Sequence, residues 1–321
     1  MPSEFDIIRR YFTRPAKRAL LGVGDDCALI AAEHGTAFAV STDMLVEGRH
    51  FLAGTDAAKL GHKALAVNLS DLAAMGAAPR YATLALALPD ADERWLAQFA
   101  HGFYALADAF GVELIGGDTT RGPRNISITV MGTVPPELAL RRDGAKVGDD
   151  VWLSGSTGDA ALALAHVDGR TRLADAALAR CLARLDTPAP RVALGLALRG
   201  IARSCIDVSD GLAADLAHIG ECSGVAMELR YADLPRSAEI ESCADARLAQ
   251  ACLLAGGDDY ELAFTAAATA REKVSALARE TNLCLTRIGE VIADEPGRIA
   301  VRDAAGAVMQ LERKGFDHFG S

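Results

Sequence analysis

The chain has 321 residues, half of them hydrophobic and 24% charged, with a formal net charge of −10. Its length exceeds one ordinary core and fits two domains. Its composition argues against disorder, collagen or a coiled coil, and its acidity argues against an extended nucleic-acid groove, which needs a basic face. The longest apolar runs break well short of the ~18 residues that span a bilayer. The start, "MPSEFDIIRRYF", lacks the basic n-region and apolar h-region of a secretory signal, so a cytoplasmic protein without a membrane partner is expected. Seven scattered cysteines form no CxxC pair and read as reduced core thiols.

Taken in order, "SEFDIIRRYF" carries a Ser3/Asp6 capping pattern and apolar residues at helical spacing, so a short helix is expected. Residues 36–45, "TAFAVSTDML", read as a strand ending in polar residues. Residues 56–75 read as a helix, 80–88 as a strand, 92–111 as a helix, and 112–122 and 125–134 as strands. Residues 135–150, "PPELALRRDGAKVGDD", read as a linker. Beyond it come a strand in "DVWLSGS", helices around 158–200 interrupted by Pro188 and Pro190, and "SCIDVSDGL" (204–212) leading from strand to helix. "VAMELRY" is a further strand, and "LAGGDDYELAFTA" (254–266) a turn and strand. Alternating strands and helices imply an α/β fold of layered domains. The spacing of Asp71 from Asp118 is echoed, within one position, by that of Asp210 from Asp258; two related halves would produce such an echo.

Acidic residues concentrate in short polar stretches: "GVGDDCA", "STDMLVEGRHF", "NLSDLAAMG", "IGGDTTRG", "IDVSDG" and "GGDDYEL". In the first, Asp25 and Asp26 have no lysine, arginine or histidine nearby, and burying a carboxylate without a partner is costly. Any one of these could be an ordinary turn. Six together, five of them with an Asp beside Ser, Thr or Gly next to a strand end where open α/β sheets bind ligands, point to a polynuclear metal site. Carboxylate and hydroxyl oxygens are hard donors that suit Mg²⁺ rather than zinc. Asp71 follows Asn68 by one helical turn, so both side chains face one way. There is no GxxxxGK[ST], "GVGDDCA" lacks the third glycine of GxGxxG, and no protein-kinase signature occurs. A phosphate-handling protein of this composition would rely on metal ions held by Asp. His62, His101 and His218 fall in helical stretches and read as packing or surface residues. His50, just after "STDMLVEGR", reads as a substrate-side group.

With "GVGDDCA", "STDMLVEGRHF", "KALAVNLSDLAAMGA", "IGGDTTRG", "IDVSDGL", "GGDDYEL" and the terminal "KGFDHF" in order along nearly the whole chain, the sequence resembles the thiamine-monophosphate kinases. That family lies within the superfamily of ATP-binding proteins typified by aminoimidazole ribonucleotide synthetase. The resemblance implies a two-domain PurM-like α/β architecture, each domain a mixed sheet layered with helices. Residues 1–137 would carry most Mg-ATP ligands and the dimer interface, and residues 138–321 would complete the nucleotide and thiamine site. It implies ATP-dependent phosphorylation of thiamine monophosphate to thiamine diphosphate, the last step in making that cofactor, by direct in-line transfer assisted by several Mg²⁺ ions in a homodimer. Carried over by motif, Asp26, Ser41, Thr42, Asp43, Asp71, Asp118, Asp207 and Asp210 correspond to metal ligands. Gly117, Asp118, Arg142 and Ser209 correspond to nucleotide contacts, and His50, Asp258 and Phe316 to thiamine-side contacts. No catalytic base is implied.

Two other readings stay open at this level. A selenophosphate synthetase shares the fold but usually carries a reactive N-terminal Cys or Sec, and residues 1–26 contain no Cys. A non-catalytic metal- or nucleotide-binding relative would differ only in lacking turnover.

Overall fold

A computed structural model describes residues 3–23, 27–31, 33–310 and 315, and divides into two compact units, Met1–Leu72 with Ala77–Glu137, and Ala73–Gly76 with Leu138–Ser321. Among the described residues no helix is long and apolar enough to cross a membrane.

The first unit begins with α1 (Glu4–Ile7), continued by a π-helical turn over Ile8–Phe12. Ser3 and Asp6 cap it reciprocally: Asp6 N donates to Ser3 Oγ at 3.2 Å and Ser3 N to Asp6 Oδ2 at 3.1 Å. Then follow β1 (Ala37–Val46), α2 (Ala57–Ala74), β2 (Ala78–Leu88), α3 (Glu93–Phe110), β3 (Glu113–Arg121) and β4 (Asn125–Val134). The sheet order is β1-β4-β2-β3. β4 pairs antiparallel with both neighbours, and β2 pairs parallel with β3, the connection that a crossover helix, here α3, must make. Asp92 caps α3 by accepting from Arg94 N and Trp95 N, and Gly111 closes it in the left-handed region. Its apolar stripe, Leu96, Phe99, Phe103 and Ala107, is fully buried. Gly102 lets α3 approach α2: a Cβ there would lie 1.8 Å from the Ala58 carbonyl oxygen.

The second unit holds β5 (Asp149–Ser154), α4 (Asp159–Val167), α5 (Asp175–Asp186), α6 (Val192–Ala197), β6 (Ala202–Asp207), α7 (Leu212–Ser223), β7 (Ala226–Arg230), α8 (Ala238–Glu241), α9 (Ala246–Ala255), β8 (Leu262–Ala267), α10 (Arg271–Glu280), β9 (Leu285–Ile292) and β10 (Ile299–Arg302). Its six-stranded sheet runs β10-β7-β9-β5-β8-β6, parallel only between β10 and β7. Val151, Leu153, Leu212, Leu216, Met227 and Leu253 are among the side chains that fill its core. Both units are mixed sheets layered with helices, the architecture expected of a PurM-like chain.

Three expectations need correction. The segment 135–150 is not a free linker. Leu140 and Ala145 are buried, Arg141 O accepts Cys205 N at 3.0 Å, and Gly144 lies so close that a Cβ would meet Arg203 O at 1.9 Å. Its backbone runs along β6 through these contacts, Ala145 joins the second unit's core, and Leu140 lies against the turn at Met75 and Gly76. The echo between the halves joins unlike positions: Asp71 sits in α2 and Asp118 in β3, whereas Asp210 and Asp258 lie in loops. The cysteines are all free, but only Cys181, Cys205 and Cys252 are buried, while Cys27, Cys222 and Cys284 are exposed. Burial pushes the thiols of Cys181 and Cys252 up to about 12.

Candidate functional site

Ser41, Thr42 and Asp43 lie in the middle of β1, in unbroken register with Val130, Thr129 and Ile128 of β4. Strand alternation therefore sorts them. Ser41 faces α2, where its Oγ donates to Asp71 Oδ2 at 2.6 Å. Asp43 shares that side, and its backbone N–H donates to Asn68 Oδ1 at 3.0 Å. Asn68 is buried and held by its own Nδ2–H bond to Ala64 O, 2.9 Å. So the Asn68/Asp71 face of α2 grips the Ser41/Asp43 face of β1, and two carboxylates and a hydroxyl gather there. Thr42 points the other way, its Oγ1 2.8 Å from Thr129 Oγ1. The structure does not bring the Thr42 side chain to this group; only its main chain adjoins it.

His50 follows β1 in a tight loop. Its Nδ1 accepts Val46 N–H at 3.0 Å, which fixes the tautomer: Nε2 carries the ring proton and can donate. Lys63, almost fully buried on α2, donates to His50 O at 3.3 Å. On β3, Gly117 has φ 147° and a Cβ there would lie 1.9 Å from Leu84 O, so only glycine lets β3 close on β2. Gly117→Ala should therefore lower stability by about 2 kcal/mol or more, read by urea unfolding; an unchanged midpoint would show that β3 can shift freely. Gly116, Gly117, Asp118 and Thr119 line one wall of a hollow of about 40 Å³ with Ile8, Phe12, Val23, Leu84 and Leu114.

In the second unit β6 ends at Asp207, a buried carboxylate, and the chain turns through Val208, Ser209 and Asp210 into α7. One carboxylate shapes that turn. Asp215 Oδ2 accepts the N–H groups of Ser209, Asp210 and Gly211 at 3.0, 3.2 and 3.1 Å. Burial, then the nearby charge of Asp210, pushes Asp215 up to about 7, against those three donors. The "GGDDYEL" loop lies alongside: Asp258 N donates to Ser209 O at 2.9 Å and Tyr260 N to Val208 O at 2.8 Å. These bonds bring the loop carrying Asp258 beside the turn that carries Asp207, Ser209 and Asp210. Gly315 also adjoins them, since a Cβ there would meet Ala214 Cβ at 2.5 Å and Asp210 O at 2.9 Å. Beneath the loop, buried Glu261 accepts from Arg184 Nη2 and Ser154 Oγ, each at 2.6 Å, and from Arg191 Nε at 2.7 Å.

The donors in both units are carboxylate and hydroxyl oxygens, the chemistry that Mg²⁺ prefers. Among the described residues no three acidic, histidine or cysteine side chains close on one point. Mg²⁺ usually takes one or two carboxylates and completes its shell with phosphates and water. Arg142 is exposed, with its carbonyl accepting Ser223 Oγ at 2.7 Å. Asp25, Asp26 and Phe316 lie outside the described residues.

Two family models match in tandem: the N-terminal domain of AIR synthase related proteins over residues 24–134 and the C-terminal domain over 146–302. The thiamine-monophosphate kinase of Escherichia coli K12 is 44% identical over 320 residues, covering 98% of each chain. The chain belongs to the thiamine-monophosphate kinase family. Among solved members, the thiamine-monophosphate kinase of Stenotrophomonas maltophilia K279a superposes with a TM-score of 0.84 at 47% identity, covering 92% of this chain and 94% of that one. An Aquifex aeolicus kinase of the family, solved with AMPPCP and TMP, superposes with a TM-score of 0.75 at 28% identity, over 90% and 89%.

For this member of the kinase family, reading the motifs located most carboxylates and missed the groups that hold them. Tyr260 and Glu261 lie within "GGDDYEL" and Asp215 just beyond "IDVSDGL", but those motifs assign them no role. Asp215 could have been found as an acidic residue in the first turn of a helix, where it satisfies open N–H groups. Glu261 could not, because Arg184 and Arg191 are remote in sequence.

Proposed function

We propose that the chain transfers the γ-phosphoryl group of ATP directly to thiamine monophosphate, forming thiamine diphosphate, as a homodimer with several Mg²⁺ ions. The reading rests on one observation above all: β1 and α2 bring Asp43 and Asp71 to one shared face through the Ser41–Asp71 and Asp43–Asn68 bonds. The Aquifex relative solved with AMPPCP and TMP supports the substrate pair. Asp26, Ser41, Asp43, Asp71 and Asp118, with the Thr42 main chain, would hold the Mg²⁺-phosphate group in the first unit, and Asp207 and Asp210 would do so in the second. When bound, Mg²⁺ cancels phosphate charge and aligns the transfer.

The chain's own residues then need only bind and orient. The acceptor is a phosphate monoester whose second pKa is about 6, so its attacking oxygen is ionised at neutral pH. No general base is required, and positioning and charge neutralisation carry the rate. Gly117, Asp118, Arg142 and Ser209 are assigned to the nucleotide. His50, through Nε2–H, and Asp258 and Phe316 are assigned to thiamine monophosphate, where a carboxylate complements the cationic thiazolium. The seven free thiols support a cytoplasmic setting.

The strand order supports the dimer. β1 and β3 are the two edges of the first sheet, so three strand spacings of about 4.8 Å put Asp43 and Asp118 about 14 Å apart. One ion cannot bridge that span. β1 also exposes Phe38, Val40 and Met44 (38, 60 and 54%) on the face that alternation turns away from α2, an apolar patch of the kind that a partner covers. In the homodimer we propose, the β1 edge of one protomer adjoins the β3 edge of its partner.

The deciding experiment incubates the pure protein with ATP, MgCl₂ and thiamine monophosphate and follows thiamine diphosphate by chromatography. Product formation without ATP–ADP exchange in the absence of acceptor is expected. No product, or exchange without acceptor, would overturn the function or the direct transfer respectively.

A further inference from the structure

Among the described residues only three other than glycine have left-handed backbone: Asp258 (φ 66°), Tyr260 (φ 51°) and Asn282 (φ 50°). Asn282 follows the C-cap of α10, where such a residue commonly ends a helix. Asp258 and Tyr260 have no such reason, and each costs free energy that the surroundings must offset. Three contacts hold them. Asp258 N and Tyr260 N are tied to Ser209 O and Val208 O. Between them Asp259 is buried, and both its carboxylate oxygens accept Gly158 N–H, at 2.9 and 3.0 Å. With Asp259 anchored inward, Asp258 and Tyr260 are brought together, and the Tyr260 hydroxyl donates to Asp258 Oδ1 at 3.0 Å.

We propose that Tyr260 is a positioning residue for the substrate: its phenol fixes the plane of the Asp258 carboxylate and so the direction in which that charge meets the thiazolium ring. The proposal rests on the reading of Asp258 as a thiamine-side contact. The physical need is clear. The last torsion of an aspartate is broad and roughly two-fold, so an untethered carboxylate samples orientations that a fixed cationic ring cannot all use. The Tyr260 ring is buried, so its hydroxyl cannot swing away. The strained backbone is what places donor and acceptor two residues apart on one side.

Tyr260→Phe keeps the packing and removes only the hydroxyl. It should raise KM for thiamine monophosphate about three- to tenfold, the effect of one hydrogen bond. KM for ATP, kcat at saturation and the melting temperature should stay at wild-type values. Calorimetric titration of thiamine monophosphate without ATP should show the same rise in Kd, independent of turnover. In an Asp258→Ala background, which removes the acceptor, the Tyr260→Phe change should add nothing further, because both act on one contact. An unchanged KM and Kd, a loss of melting temperature in their place, or additive effects in the double variant would overturn the proposal. Wild-type protein that binds thiamine monophosphate with the Tyr260 effect but makes no product would overturn the kinase reading and leave the positioning role standing. Wild-type protein that does not bind it would overturn both.

Discussion

Mixed Asp43→Ala and Asp118→Ala proteins should regain about a quarter of wild-type turnover, through the symmetry of the proposed two-fold dimer. Each variant alone should lose turnover by about a hundredfold or more, since under the proposed function each removes a charge-neutralising metal ligand that matters most in the transition state. The geometry sets the result. Asp43 and Asp118 sit on opposite edge strands of one four-stranded sheet. If each site takes Asp43 from one protomer and Asp118 from its partner, a mixed dimer has one site with both defects and one with neither. Random mixing makes about half the dimers mixed, and half of their sites are intact. The two chains, co-expressed in equal amounts and assayed without fractionation, provide the measurement, and the mixed species purified through two different tags should show about half of wild-type turnover. If both ligands served a site within one chain, every protomer would carry a defect. No activity would return, and the β1–β3 pairing would be wrong.

The largest loss of stability should come from Glu261→Ala, about 3–5 kcal/mol in urea unfolding. Glu261 is fully buried at the start of β8 and ties together β5, α5 and the segment before α6 through Ser154, Arg184 and Arg191. Burial works against the charge of Arg184, but Glu261 beside it outweighs this and raises its pKa. Removing the carboxylate leaves two guanidinium groups without their charge partner in a poorly solvated place, and the cost is mainly theirs. Glu261→Gln, which keeps shape and some hydrogen bonds, should cost clearly less. A loss under about 1 kcal/mol for Glu261→Ala would mean that water reaches both arginines and the cluster is a surface one.

The regular elements were largely legible in the sequence, for local reasons. The stretch 92–111 has an apolar stripe at helical spacing, an aspartate able to cap it and a glycine able to end it, and α3 runs from Glu93 to Phe110. The alternating stretches 80–88 and 125–134 became β2 and β4. The pairing of Asn68 with Asp71 on one face of α2 followed from helical spacing alone. The motif set was enough to indicate the family, because its order along the chain is improbable by chance.

Tertiary structure decided the rest. The strand over 36–45 was legible, but only its ten paired positions with β4 and its packing on α2 set which residues face Asp71, and the alternation turned Thr42 away from it. The segment 135–150 looks like a linker because it is polar and glycine-containing, but Leu140 and Ala145 gain burial. The separation of Asp43 from Asp118 depends on strand order, which no local pattern encodes. The contacts that orient Asp210 and Asp258, from Asp215 and Tyr260, depend on a turn and a strained loop that form only when β6 and β8 pair. Local sequence determined which residues carry the chemistry, since composition and spacing act over a few residues. Which oxygens face one another was decided by long-range pairing, since only the packed sheet fixes direction.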